Sequence, residues 1–262
     1  MMLRNLERPY VLFVTIKESI GLIAGDLELS LFEDQLGENW TKCLDGDERA
    51  FRIISAFYRI ISNASEAFQA DYNVIDIGPN LGAINRATLI AADYVIMPMA
   101  ADLFSIQGLK NLGNRLQRWR REWADRKSRN PEPSLQLPNG IMRPLGYVIM
   151  QHGINQRRPV KSYLRWANRI PEVFRNAVLE IENTDEINAE QDNYCLALLK
   201  HYHSLMPMSM EARKPMFLLK PADGAIGAHL GAARAVYKDF KELVEKVTER
   251  IMDAEQHQTL GF

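Results

Sequence analysis

Asp76 is the residue of this chain best placed to do chemistry. It follows Tyr72-Asn73-Val74-Ile75, a short, β-rich apolar run that predicts a buried parallel strand. Gly78-Pro79-Asn80-Leu81-Gly82 then breaks that strand. In open α/β sheets, ligands gather beyond the carboxyl ends of the strands. A carboxylate there can hold a magnesium ion through water, or it can simply cap the turn that follows. His201 and His203 alternate as residues on one side of a strand do, which suggests a metal pair. No Cys or carboxylate of matching spacing accompanies them. Arg115–Arg129 (RLQRWRREWADRKSR) carries seven basic residues, two acids and two tryptophans. Such a stretch either binds nucleic-acid phosphates or forms a solvated helix face. Trp119 and Trp123, at i,i+4, share one face and predict packing rather than stacking on bases. No Ser-His-Asp arrangement and no carboxylate pair for acid–base chemistry stands out.

The elements that must position Asp76 read as follows. Ala83–Ala92 predicts a helix and Tyr94–Pro98 a second buried strand. With Tyr72–Ile75 this makes a βαβ unit, which favours a parallel sheet and a right-handed crossover. Upstream, Pro9–Ile16 and Ile20–Asp26 read as short strands, and Leu29–Trp40 is mixed and amphipathic. Ala50, Ile53, Ile54, Phe57, Ile60, Ile61 and Ala64 repeat at helical spacing and predict one amphipathic helix of about four turns. Downstream, a helix follows Asp102 and runs to about Lys127, with Asp102 or Ser105 as its N-cap. Asn130–Met142 is a proline-rich loop and Leu145–Met150 a strand. Val160–Ile181 is helical in part, with a break at Pro171. Glu180–Asp192 has six acids and no base, and predicts an exposed segment. Tyr194–His201 has helical spacing, and Ser204–Pro207 reads as a short strand and turn. In the last helix Val236, Phe240, Leu243, Val244, Val247 and Ile251 form one face. Lys238/Glu242 and Glu242/Lys246 pair on the other.

Composition narrows the function classes. The 262 residues predict a single domain over 1–262, with 47% apolar and 25% charged residues as in ordinary globular chains. A net charge of −1 gives no global field for nucleic acid or membrane, so any such patch must be local. Two cysteines without metal-type spacing predict no disulfide framework and a reducing, cytoplasmic setting. The apolar run Tyr10–Ile16 is too short for a membrane span.

Asp76-Ile77-Gly78-Pro79-Asn80-Leu81-Gly82 is followed by Ala91-Ala92-Asp93, Pro98 and Phe104-Ser105-Ile106-Gln107-Gly108-Leu109. In order, spacing and residue type, this series resembles the core of ParA/MinD-type ATPases over about 40 residues. The resemblance implies an α/β fold: a mostly parallel sheet flanked by helices, of the P-loop NTPase kind. It implies Asp76 as the catalytic, magnesium-site acid acting through water, with ATP and Mg2+ as cofactors. Gly78 and Pro79 would border the nucleotide. Gln151, after the Leu145–Met150 strand, matches the segment that approaches the adenine. Pro207 matches the family's base-proximal "IPR" turn, although Met208 replaces the family arginine. The family is also associated with homodimers, nonspecific DNA binding and a ParB-like activating partner. Arg118, Arg121, Arg126 and Lys127 are the candidate DNA contacts, and no membrane association is implied.

One family feature has no counterpart in this sequence. No GxxxxGK[ST] phosphate loop occurs in it. Gly21–Gly25 has glycines but leads into Asp26 and Glu28, which would repel phosphate. The expectation is therefore an N-terminally incomplete family pattern with impaired or no intrinsic hydrolysis, because phosphoryl transfer relies on electrostatic positioning. The alternative is a non-catalytic dimerisation or partner-binding module on the same fold.

Overall fold

The computed structural model describes residues 13–150, 160–182 and 187–259, with no side-chain description at 13, 160–162 and 257–259. It divides into two compact units, Met1–Val95 with Arg115–Arg143, and Ile96–Asn114 with Pro144–Phe262. Two of the three divisions fall within β3 (Tyr94–Ala100) and α5 (Leu103–Lys127), so each unit takes part of both, and the third follows Arg143.

The first unit opens with an antiparallel hairpin of β1 (Phe13–Lys17) and β2 (Ile20–Ile23), paired from Phe13↔Ile23 to Lys17↔Ile20 with a register shift between Thr15 and Lys17. Asp26 starts the next turn by accepting the Glu28 N–H at 2.9 Å. Four helices follow: α1 (Glu33–Lys42), α2 (Glu48–Ile54), α3 (Ala56–Phe68) and α4 (Ala83–Ala91). The predicted four-turn helix is thus two helices. Ser55, fully buried, turns its hydroxyl back onto the Phe51 carbonyl at 2.7 Å, a local bond that competes with the helical ladder. Asp47 caps α2 by accepting the Ala50 N–H. The core gathers Leu36, Trp40, Phe51, Ile54, Trp119 and Trp123. Both tryptophans of the basic stretch are buried, as their spacing predicts.

The expected strand at Tyr72–Ile75 does not form. The segment pairs with no strand among the described residues, and Val74 is 96% exposed. The βαβ unit is therefore present only as its helix and second strand. Burial of a parallel strand requires neighbours on both edges, and the described residues supply none here.

In the second unit β3, β4 (Arg143–Met150) and β5 (Cys195–Leu199) form one sheet in that order. β4 and β5 are parallel, from Tyr147↔Cys195 to Met150↔Leu199. Among the described residues, parallel pairing is thus confined to a small sheet, with an antiparallel hairpin elsewhere. Tyr194–His201, expected as helix, supplies β5. Five apolar residues, three buried and two half-buried, carry no polar alternation, so periodicity cannot separate them from a helical turn. Ser204–Pro207, expected as strand and turn, instead opens α8 (Leu205–Ala212), with Pro207 in its first turn, where a missing N–H costs nothing. α6 (Val160–Ala167) and α7 (Ile170–Val173) flank the break near Pro171, which sits in the first turn of α7. α9 (Ala228–Thr259) packs Phe240, Leu243 and Val247 against Val148, Leu196 and Leu199. Val244, expected on that face, is 60% exposed.

Asp192, expected in an exposed acidic stretch, is buried. Its carboxylate takes two bonds from Arg175, at 2.5 and 3.0 Å, and one from the Tyr147 hydroxyl at 2.6 Å. The Tyr194 N–H adds a fourth at 3.1 Å.

Candidate functional site

The Asp76 loop is held at its far end. Asp76 lies exposed in the irregular segment that follows α3. Asn80 folds the chain by accepting the Gly82 N–H at 3.0 Å, an Asx turn. Asn85, in the first turn of α4, reaches back and donates to the Gly78 and Asn80 carbonyls at 2.5 and 2.7 Å. Glu33, the first residue of α1, lays its carboxylate across the start of α4 and accepts from the Ala83 and Ile84 N–H groups. Those donors have no partner within the helix, and a negative charge is favoured at the positive end of its dipole. Gly82 makes room for this contact: a Cβ there would stand 2.5 Å from Glu33 Oε1.

A cationic cluster lies behind the loop. The Arg86 and Arg126 guanidinium carbons lie 4.2 and 4.3 Å from the centre of the Trp40 ring. Trp40 also stacks on Trp123, with ring centroids 6.0 Å apart. Burial, offset in part by Glu122, pulls the Arg86 pKa down to about 10. Burial opposes ionisation of Glu122, but hydrogen bonds from Arg118 and Trp40 outweigh it and hold the carboxyl below its usual range.

The candidate DNA contacts do not share one fate. Arg121 is exposed, and Arg118 is exposed but paired with Glu122 at 2.6 Å. Lys127 is half-buried and donates to Asn139 at 3.3 Å. Arg126 is only 7% exposed; it donates to the Trp40 carbonyl at 2.7 Å and to that of Glu122 at 2.9 Å. It is therefore withdrawn from any phosphate-facing surface. Of the candidate nucleotide contacts, Gly78 and Pro79 are exposed in the Asp76 loop, and Pro207 is exposed on α8 in the second unit. Gln151 lies outside the described residues.

The His201 and His203 rings are 4.7 Å apart, with the His203 N–H donating to His201 Nδ1 at 3.1 Å. Among the described residues no group of three His, Cys, Asp or Glu side chains is disposed to hold a metal. Asp76 alone would hold a magnesium ion only through water, with other ligands from solvent or phosphate.

Glu33 and Asn85 are absent from the residues that the sequence singles out. Asn85 carries a faint signal, since Asn in a helix's first turn favours local backbone bonds over the ladder. Glu33 carries none, because its partners lie 50 and 51 residues away.

Comparison with known proteins adds a coarse placement. Residues 10–128 match the family described as an AAA domain. An uncharacterized protein of Methanocaldococcus jannaschii is 25% identical over 148 residues, which is 56% of this chain and 47% of that protein. The chain thus spans about half the length of this curated relative. A crystal structure of a Corynebacterium diphtheriae protein has a similar fold, with a TM-score of 0.51 at 21% identity. That likeness covers 88% of this chain and 69% of the other. The similarity is thus to an NTPase-type domain on an α/β fold.

Proposed function

We propose that this chain is a ParA/MinD-like protein that binds a magnesium–nucleoside triphosphate, ATP in the family it resembles, with little or no hydrolysis of its own. The carrying observation is the Asp76 loop. An exposed carboxylate follows an irregular, unpaired segment, and a braced glycine-bearing turn leads directly into α4 and then β3. The match to an AAA domain over residues 10–128 includes that whole stretch. Asp76 is the magnesium-site acid in this reading, and Gly78 and Pro79 border the phosphates. The expectation of weak hydrolysis rests on the lack of a GxxxxGK[ST] segment in these 262 residues, since phosphoryl transfer relies on the electrostatic positioning that such a loop supplies. Calorimetric titration with MgATP tests it: binding that falls at least tenfold in Asp76→Ala supports the reading. The absence of binding in the unmodified protein overturns it.

A second reading, a dimerisation or partner-binding module, is favoured by the uncovered apolar surface of the first unit. None of the residues of α3 is buried, although its apolar spacing is pronounced. Val74, Tyr72, Ile16 and Leu22 are all exposed. DNA contact belongs to the same reading and rests on Arg118, Arg121 and Lys127. Affinity for nonspecific DNA should fall with salt and with Arg118→Glu/Arg121→Glu; a flat salt response removes DNA from the account.

A further inference from the structure

Asn85 stands where α4 meets the Asp76 loop and is 4% exposed. We infer that Asn85 is the positioning residue for Asp76: its buried amide pins the backbone on both sides of Pro79 and thereby sets where the Asp76 carboxylate stands. The inference rests on the magnesium–nucleotide reading of that carboxylate.

The chemistry of the contact is unambiguous. Gly78 and Asn80 present carbonyl oxygens, which only accept, so the amide nitrogen must face them and both of its hydrogens are used. A side-chain amide is the smallest group that donates twice from one atom at this position. The neighbouring turn is closed by the Asn80 bond to Gly82, so residues 78–82 are held at two points.

Upstream the restraint is slight. Residues 72–77 have no strand ladder among the described residues, and the side-chain bond that stretch makes, from Asn73 to Ser65 at 3.0 Å, is exposed. Asp76 therefore takes its position chiefly from the pinned Gly78 two residues on. A trans chain of two residues reaches at most about 7 Å, which confines the Asp76 backbone to a small region beside the start of α4. Asn85→Ala leaves two carbonyls without their donor, and Asn85→Asp sets a carboxylate against both. Either change frees the loop without touching nucleotide or metal.

The test uses the full chain. Titration with MgATP, and with ATP in EDTA, is run on the unmodified protein, Asp76→Ala, Asn85→Ala and the double variant. Amide hydrogen exchange is followed in the nucleotide-free protein. Asn85→Ala should weaken MgATP binding about tenfold, leave metal-free ATP binding unchanged and add nothing to Asp76→Ala. Exchange at residues 78–82 should speed up while residues 88–91 of α4 stay protected. Equal losses with and without magnesium, additive losses, or unchanged exchange at 78–82 would overturn the inference. If the unmodified protein binds no MgATP, the nucleotide reading fails, and the exchange experiment alone decides whether Asn85 orders the loop. If Asn85→Ala also strips protection from α4, Asn85→Ser, which keeps one hydroxyl donor but cannot bond both carbonyls, carries the same test.

Discussion

Asp192 has a fully buried side chain, and Arg175, its ion-pair partner, is only 11% exposed there. A buried pair of this kind adds little net stability over an apolar replacement, but removing one partner strands the other charge. Asp192→Ala should therefore cost about 3–5 kcal/mol in chemical denaturation, and Arg175→Met a similar amount. Arg175→Met/Asp192→Leu should recover most of the loss; additive losses would show that the charges themselves are needed. The cysteines show the same cost of burying charge. Burial pushes the Cys43 thiol from an ordinary 9.0 to about 12, and the Cys195 thiol to about 11. Both should resist alkylation at pH 8 until the protein is unfolded. Above pH 9 the unfolded chain releases thiol protons that the folded chain keeps. The stability linked to these thiols is intact below pH 9 and is lost as pH rises towards 11 and 12. A denaturation midpoint that stays flat from pH 9 to 11 would contradict this.

At the scale of elements, the start of α4 is assembled from distant sequence. Glu33 supplies the carboxylate and Gly82 the clearance, so the two should act as one. Gly82→Ala and Glu33→Ala should each lower stability by about 1 kcal/mol, with the double variant little worse than either. Additive losses would mean that the carboxylate contact does not depend on Gly82. Gly113 makes a second close approach, since a Cβ there would overlap the Ala177 carbonyl, and backbone cannot move aside as a carboxylate can. Gly113→Ala should therefore be the costlier glycine substitution in thermal unfolding. These elements also show what the sequence could reveal. α5 and β3 were legible because their patterns are long or tightly bounded, and Asp102 caps α5 as expected, accepting the Ser105 N–H at 2.7 Å. β5 was not legible, because an unbroken apolar run shows no period-two alternation. The Asp76 loop could be recognised by residue type and spacing, but the groups that brace it could not: their contacts are made across the fold.

For the molecule as a whole, the consequential feature is apolar surface that the first unit does not cover. Complete burial of a valine side chain is worth roughly 1.5–3 kcal/mol, and Val74 gains almost none of it. Tyr72 is 60% exposed on the same segment, and that segment has no strand partner among the described residues. Unpaired backbone and exposed apolar side chains together favour pairing with another strand. A net charge of −1 supplies little long-range repulsion between copies. Sedimentation should therefore show a species heavier than the monomer. Val74→Lys should shift it to monomer without changing the far-ultraviolet circular dichroism, because a charge on an exposed, unpaired segment blocks its pairing with another strand while burying nothing. Adding MgATP to the unmodified protein then separates the two functional readings. Association that strengthens with nucleotide and is lost in Asp76→Ala links the surface to the Asp76 loop, whereas association indifferent to both makes the surface an interface in its own right.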